Sequence, residues 1–351
     1  MELLIGTGGT GGHLYPALAL AEEAAQRGIR TLFILGQIKE GVIQHEIPGI
    51  RIPSGPISGV PVTRKLISGI KIAFGTLRCL ALTNRGPLIA FGSYAVVPAL
   101  LAARITRRRY WLMEQNVIPG ATVRTFARRA EGVFTTFQET ERNLPGAKCI
   151  LTGNPLRKGL KKMEKTEAKS IFDFDERPMV MVMGGSQGAR ALTAKSLEMT
   201  SLMPDVQFLI IAGKRDYPVF RKTYPERGEN FLLVDYLPDV SPAYSGADIA
   251  VARAGGGVAQ ELGFFGLPAI LVPFPHAADD HQYANAEALA RTGGVLVLRE
   301  ENLSDLPGLL KELLEDRERL SAMAQAISGF SRPRAAADVL DIVLKQTYGG
   351  P

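Results

Sequence analysis

Cysteine, tryptophan and long apolar runs are scarce in this 351-residue chain, and aspartate is missing from its first 172 residues. The two cysteines, Cys79 and Cys149, cannot build a four-cysteine zinc site and stand in no C-x-x-C spacing. They read as reduced, packed residues of a cytosolic protein, with a disulfide the lesser reading. No window approaches the roughly 18 uninterrupted apolar residues of a membrane span. A strand opens the chain at Glu2-Leu-Leu-Ile-Gly6, without a basic leader or apolar h-region, so no signal peptide is expected.

What is present is an ordinary globular composition, 46% hydrophobic and 22% charged, at a length that suits two domains. The net charge of +6 is unevenly spread. Residues 1–150 hold 18 Lys and Arg against nine Glu, whereas residues 151–351 hold 23 against 26 acids. A cationic first half suggests a polyanionic partner: nucleic acid, an anionic bilayer or a phosphorylated substrate. The alternative is a solvated basic surface.

One pattern occurs twice. Leu3–Gly6 is a short strand, Thr7-Gly-Gly-Thr-Gly-Gly-His13 a glycine loop, and Leu14, Leu18, Ala21 and Ala25 recur at helical spacing up to Gly28. Strands are expected at 31–35, 87–91, 110–114, 132–136 and 148–152. The unit restarts with strand 179–183, the loop Gly184-Gly-Ser-Gln-Gly-Ala189 and a helix over about 190–200. Strands at 207–212, 231–235, 249–252, 269–272 and 294–298 follow, with Arg253-Ala-Gly-Gly-Gly257 opening another helix. Two open α/β domains with parallel sheets are the natural fold. The expected division is 1–155, a Lys/Glu-rich linker with a short helix at 156–176, 177–330, and a C-terminal helix within 331–351 that packs back on the first domain.

The loop Gly6-Thr-Gly8-Gly-Thr-Gly11 spells G-x-G-x-x-G, but Leu35-Gly36-Gln37 ends the next strand where a ribose-binding acid is needed, which disfavours NAD. Gly12-His13-Leu14 replaces the Gly-Lys-Ser/Thr of a nucleotide-triphosphate loop and excludes it. Helix starts of low side-chain bulk at residues 7, 184 and 255 remain able to receive phosphate or sugar oxygens; tight turns without a ligand are the alternative. His13 stands where loop becomes helix, and the positive end of the helix dipole disfavours imidazolium there, leaving a base. A capping histidine is the other reading. Glu114 and Asn116 end an apolar strand at the edge where open sheets bind ligands. Glu261 lies one to two turns into the helix after Gly255, placed for vicinal hydroxyls or simply solvated.

Gly8-Gly-Thr-Gly-Gly-His13, Glu114-Gln-Asn116, Thr152-Gly-Asn-Pro155 with Arg157, Gly184-Gly-Ser-Gln-Gly-Ala-Arg190, Arg253-x-Gly255 with Glu261, and Pro273-x-Pro-His-Ala-Ala-Asp-Asp-His-Gln282 occur in order. Together they resemble the MurG family, bacterial N-acetylglucosaminyltransferases of peptidoglycan synthesis that form lipid II. The resemblance implies a GT-B fold of two Rossmann-like domains facing across a cleft. It implies an inverting transfer of N-acetylglucosamine from UDP to the C4 hydroxyl of undecaprenyl-pyrophosphoryl-N-acetylmuramyl pentapeptide. Carried over, Ser186 and Gln187 and the Gly255 helix end would hold the UDP phosphates, with Arg157 nearby, and Gly188, Arg253, Gly256, Gly257 and Val258 would belong to the donor site. Leu237 would meet uracil, Glu261 the ribose, and Gln282 with Asn285 the sugar. Thr10, Gly11, Gly12 and Asn116 would face the reacting sugars. Gly8, Gly9, Thr10, His13, Tyr94, Glu114 and Asn116 would meet the acceptor, His13 or Glu114 serving as base. Thr193 and Val258 depart from the family's usual Asn and hydroxyl.

No metal site is implied, although a divalent cation can assist activity: Asp173-Phe-Asp175 spells D-x-D in a polar segment and reads as solvated surface. Lys65, Leu66, Ile67, Ile70, Lys71, Phe74 and Arg78 mix cations with apolar groups at helical spacing. They fit contact with an anionic membrane at the cytoplasmic face, or else a buried amphipathic helix with a charged outer face. Another GT-B enzyme, such as a transferase with a different acceptor or a UDP-sugar epimerase, is the runner-up. A nucleic-acid module is disfavoured, since the basic half lacks a recognition motif and carries few aromatics for stacking.

Overall fold

The computed structural model describes residues 2–9, 11–38, 47, 49–56, 60–82, 86–185 and 188–349. They form two compact units, 1–158 with 332–351, and 159–331.

In the first unit β1 (Glu2–Gly9), α1 (Gly11–Gln26), β2 (Arg30–Ile38) and β3 (Gly49–Arg51) precede α2 (Val62–Leu80). Then come β4 (Leu88–Phe91), α3 (Val97–Ile105), β5 (Tyr110–Glu114), α4 (Ala121–Phe126), β6 (Gly132–Thr135) and β7 (Cys149–Leu151). All strands pair in parallel in the order β3-β2-β1-β4-β5-β6-β7. Such a sheet is covered on both faces, so its strands are apolar throughout. Leu4, Ile34, Leu88 and Leu112 line one core; Leu3, Ile5, Phe33, Ile89, Trp111 and Phe134 line the other.

The second unit contains α5 (Lys165–Ser170), β8 (Met179–Met183), α6 (Arg190–Leu202), β9 (Gln207–Ile211), α7 (Tyr217–Phe220), β10 (Phe231–Val234) and α8 (Ser241–Gly246). It continues with β11 (Ile249–Ala252), α9 (Gly256–Phe265), β12 (Ala269–Leu271), α10 (His281–Ala290), β13 (Val295–Val297), α11 (Leu306–Glu315) and α12 (Arg317–Ser328). Its parallel order is β10-β9-β8-β11-β12-β13. Gly266, left-handed at φ 71°, ends α9 by returning its N–H to the Leu262 carbonyl, a conformation glycine reaches without steric cost.

The final helix, α13 (Ala335–Tyr348), buries Val339, Leu340 and Val343 in the first unit's core. Gln346 there accepts from the Trp111 indole at 3.2 Å. Each such apolar side chain contributes about 1.5–3 kcal/mol when fully buried.

Three features differ from the sequence reading. Of residues 156–176, expected as linker with a short helix, all beyond Lys158 belong to the second unit, and the short helix is present as α5. There α5 buries Ala168, and Lys165 pairs with Asp248 at 2.5 Å. β1 runs three residues further than expected, into the glycine loop. β3, a three-residue edge strand, was not anticipated.

Both sheets reverse direction of winding beside their first strand, at β1/β4 and at β8/β11. The loops leaving these strands carry the candidate residues, at the switch point where open sheets bind ligands.

Candidate active site

In the first unit, Gly8 and Gly9 still belong to β1. Gly9 has φ 85°, and a Cβ there would stand 3.1 Å from the Ser93 hydroxyl. Thr10 lies outside the described residues. Gly11 and Gly12 begin α1, whose Pro16 cannot donate to the Gly12 carbonyl. His13 is half-buried, its carbonyl accepting from the Thr7 hydroxyl at 3.1 Å. The carboxamide nitrogen of buried Gln115 lies 3.3 Å from His13 Nδ1. Tyr94 follows β4, half-buried, beside the turn that Ser93 caps.

Glu114 is buried at the end of β5. Its Oε1 accepts from the N–H of Gln115 (2.9 Å), the N–H of Asn116 (3.0 Å) and the Asn116 carboxamide (3.1 Å). Its Oε2 accepts from the N–H of Gly120 at 2.9 Å. Burial pushes the Glu114 carboxyl above the ordinary carboxylate range, and these four donors pull against that rise. A carboxylate so engaged folds the 115–120 loop, and the loop in turn presents Gln115 to His13. Glu114, the competing candidate for the base, thus also organises this loop, and the Asn116 amide is drawn into the same loop. Arg157 belongs to the first unit, its guanidinium 4.7 Å over the Tyr15 ring on α1.

In the second unit, Ser186 and Gln187 lie outside the described residues. Gly188 has φ 75° and a Cβ there would meet Asp216 Oδ2 at 2.4 Å, so this turn requires glycine. At α9, Gly255 is the N-cap, and no side chain caps the helix. A Cβ on Gly255 or Gly257 would meet nothing within 4 Å. The first-turn N–H groups of Gly256, Gly257 and Val258 thus sit at a helix start where backbone donors have no intrahelical partner. Glu261, one turn further, is buried and accepts from the Tyr244 hydroxyl at 2.7 Å, which removes the reading of it as a solvated helix residue.

Arg253, a donor-site candidate, is bound within its own unit. Its Nη1 donates to the Val272 and Pro273 carbonyls, both at 3.1 Å, and its Nη2 to Glu300. These contacts brace the loop after β12. Asn285 Nδ2 donates to the Ala254 carbonyl at 3.0 Å, and Gln282 Oε1 accepts from the Phe274 N–H at 3.0 Å. Both tie α10 to neighbouring loops. Leu237 is half-buried in the segment after β10. Thr193 is buried in α6, and Val258 is half-buried.

Asp173 and Asp175 are exposed and paired with Arg227 and Arg177. Among the described residues no three His, Cys, Asp or Glu side chains stand together as a metal ligand set. The sequence reading missed the parts played by Gln115 and Tyr244. Gln115 was visible inside Glu-Gln-Asn; Tyr244 gave no signal, because its partner is 17 residues away on another helix.

Residues 3–135 match the glycosyltransferase family 28 N-terminal domain and residues 179–339 its C-terminal domain. A relative from Myxococcus xanthus, named UDP-N-acetylglucosamine–N-acetylmuramyl-(pentapeptide) pyrophosphoryl-undecaprenol N-acetylglucosamine transferase, is 33% identical over 99% of this chain and 94% of its own. The chain belongs to the MurG family. A relative of the same name from Nitratidesulfovibrio vulgaris (strain DP4) is 35% identical, covering 97% of this chain and 96% of its own. The crystal structure of Acinetobacter baumannii MurG superposes with a TM-score of 0.76 at 26% identity, over 98% of this chain and 99% of that one. A putative UDP-N-acetylglucosamine 2-epimerase from Listeria monocytogenes reaches a TM-score of 0.70 at 14% identity, over 100% of this chain and 97% of that one, a likeness of fold alone. Membership of the MurG family accounts for the two sheets, each with its loops at the switch point, within one GT-B architecture.

Proposed function

We propose that the protein transfers N-acetylglucosamine from UDP-N-acetylglucosamine to the C4 hydroxyl of undecaprenyl-pyrophosphoryl-N-acetylmuramyl pentapeptide, inverting the anomeric carbon and releasing UDP. The observation that carries this reading is the likeness along 97–99% of the chain to relatives named for that activity. His13 takes the proton of the C4 hydroxyl as its oxygen bonds to the anomeric carbon. The bond from that carbon to the diphosphate breaks, and charge grows on the leaving phosphate. Backbone N–H groups at the start of α9, with Ser186, Gln187 and Gly188, stabilise it without a protein-held metal. Glu261 binds the ribose, Leu237 the uracil, and Gln282 with Asn285 the sugar. Gly8 to Gly12, Tyr94 and Asn116 meet the reacting sugars, and Arg157 approaches the diphosphate.

The acceptor is reached at the cytoplasmic face of an anionic membrane through α2, as a peripheral contact. This helix turns Ser68, Ile72, Gly75, Thr76 and Cys79 inward. A Cβ on Gly75 would stand 2.3 Å from the Pro53 carbonyl, so small residues let the helix lie close to its unit. Its large apolar side chains face out, Leu66 at 66%, Ile70 at 60% and Phe74 at 62% exposure, with Ile67 and Leu77 beside them. Arg64, Lys65, Lys71 and Arg78 share that exposed surface, an arrangement suited to an interface of apolar tails and anionic head groups. No helix among the described residues is long and apolar enough to cross a membrane.

The test is UDP release from UDP-N-acetylglucosamine with and without the lipid-linked muramyl acceptor. Release that depends on the acceptor is expected. Turnover indifferent to it, or none with that pair, overturns the reading.

A further inference from the structure

We propose that Tyr244 is a positioning residue for donor recognition, holding Glu261 in the rotamer that meets the ribose; this rests on the reading of Glu261 as the ribose-binding carboxylate. Glu261 and Phe265 stand four residues apart on α9 and share one face of that helix. That face grips Tyr244 of α8 at two points. The phenol hydroxyl donates to Glu261 Oε2 at 2.7 Å, and its ring stacks on Phe265 with centroids 4.9 Å apart and planes 12° off parallel. Phe264 closes edge-on against Phe265 at 5.0 Å. Tyr244 is 2% exposed and Glu261 6%, so the contact is made away from water, where a hydrogen bond to a carboxylate is strong. A flexible glutamate would otherwise lose side-chain freedom on meeting a nucleotide. Here the phenol has already fixed one carboxylate oxygen, which restricts the rotamer of the whole group.

The experiment compares UDP with 2′-deoxyuridine 5′-diphosphate by titration calorimetry, on the full chain and on Tyr244→Phe, with melting temperatures to confirm folding. In the unaltered protein, loss of the 2′-hydroxyl should weaken binding about tenfold or more. In Tyr244→Phe, UDP affinity should fall about tenfold while the 2′-deoxy penalty shrinks to about twofold, and the donor KM should rise with kcat retained. The double variant Tyr244→Phe with Glu261→Gln should lose little beyond Glu261→Gln alone. Unchanged UDP affinity in Tyr244→Phe, or an equal loss for both nucleotides, overturns the positioning role. If the unaltered protein and Glu261→Gln both bind the two nucleotides alike, the ribose reading itself has failed, and the role of Tyr244 falls with it.

Discussion

The carboxyl ends of β5 and β11 handle buried charge in the same way and reactive charge differently. Each end carries one charged side chain whose hydrogen-bonding capacity is absorbed locally: Glu114 by four N–H donors, Arg253 by two main-chain carbonyls and Glu300. Each unit also carries a candidate site residue oriented by a neighbour: Gln115 lies against His13 Nδ1, and Tyr244 donates to Glu261 Oε2. The contrast is between loop builders and the groups proposed to meet substrate. A buried charge with hydrogen-bonding partners is stabilised where it stands, whereas a neighbour that orients a proposed ligand-binding group restricts its rotamer before the ligand arrives. The two units also differ at their candidate ligand-facing ends: the first places side chains around a glycine loop, and the second has a helix start with no side-chain cap.

The largest effect should come from the base. His13→Ala is expected to lower kcat by about 10²–10⁴-fold while UDP affinity stays within about twofold, measured by steady-state turnover and calorimetry. Unchanged turnover would return Glu114 to consideration. The loop builders should fail in the opposite manner. Glu114→Gln puts an amide NH₂ against an N–H donor, so unfolding free energy should fall by about 1–3 kcal/mol in urea titration. Arg253→Lys loses the planar fork that joins the Val272 and Pro273 carbonyls to Glu300 and should cost a similar amount. Glu261→Gln should instead leave the urea midpoint nearly unchanged and weaken UDP binding. A Glu261→Gln variant as destabilised as Glu114→Gln would erase the distinction between the two kinds of residue.

Most of the sheet architecture was legible, because strands buried on both faces write continuous apolar runs such as Met179–Met183. The three-residue β3 was not, since so short an edge strand leaves no period to read. Segment 156–176 looked like linker because charge dominates its composition, yet burial of Ala168 and the Lys165–Asp248 pair fold it into the second unit. At the site, glycine spacing marked the helix starts correctly. The fate of Arg253 was hidden, because its acceptors are main-chain carbonyls about 20 residues away, and carbonyls carry no sequence signature. In α2 the spacing of Leu66, Ile70, Phe74 and Leu77 marked a stripe without telling which way it faces. Its orientation follows from the face opposite, which buries Ser68, Ile72, Gly75, Thr76 and Cys79: at Gly75 only the missing side chain permits the close approach to Pro53 and Pro98.

That orientation extends the comparison to the outer surface, where the first unit has an exposed apolar helix face. Ile70→Ser with Phe74→Ser should reduce partition onto anionic vesicles roughly tenfold or more, given about 1.5–3 kcal/mol for each fully buried side chain. Stability in solution should hold. Ile72→Val, on the inward face, should cost about 1 kcal/mol of stability and leave vesicle binding intact. Vesicle binding insensitive to the serine pair would remove α2 as the contact.

The smallest expected effect concerns how α2 meets a bilayer. Cys79 lies on its inward face, and burial pushes its thiol up to about 11, against the pull of Arg108 and Arg78. At pH 8 only about one part in a thousand is thiolate, the form that reacts. Burial also raises the Cys149 thiol, with Glu141 adding to the rise, but Cys149 is more accessible and should be alkylated first by iodoacetamide. Added anionic vesicles then distinguish two modes of docking. If α2 binds by its outer face while still packed on Pro53 and Pro98, Cys79 remains unlabelled at the rate seen without lipid. If the helix peels away to insert, Cys79 loses its cover and its labelling accelerates, which would make α2 a detachable anchor instead of a fixed apolar face.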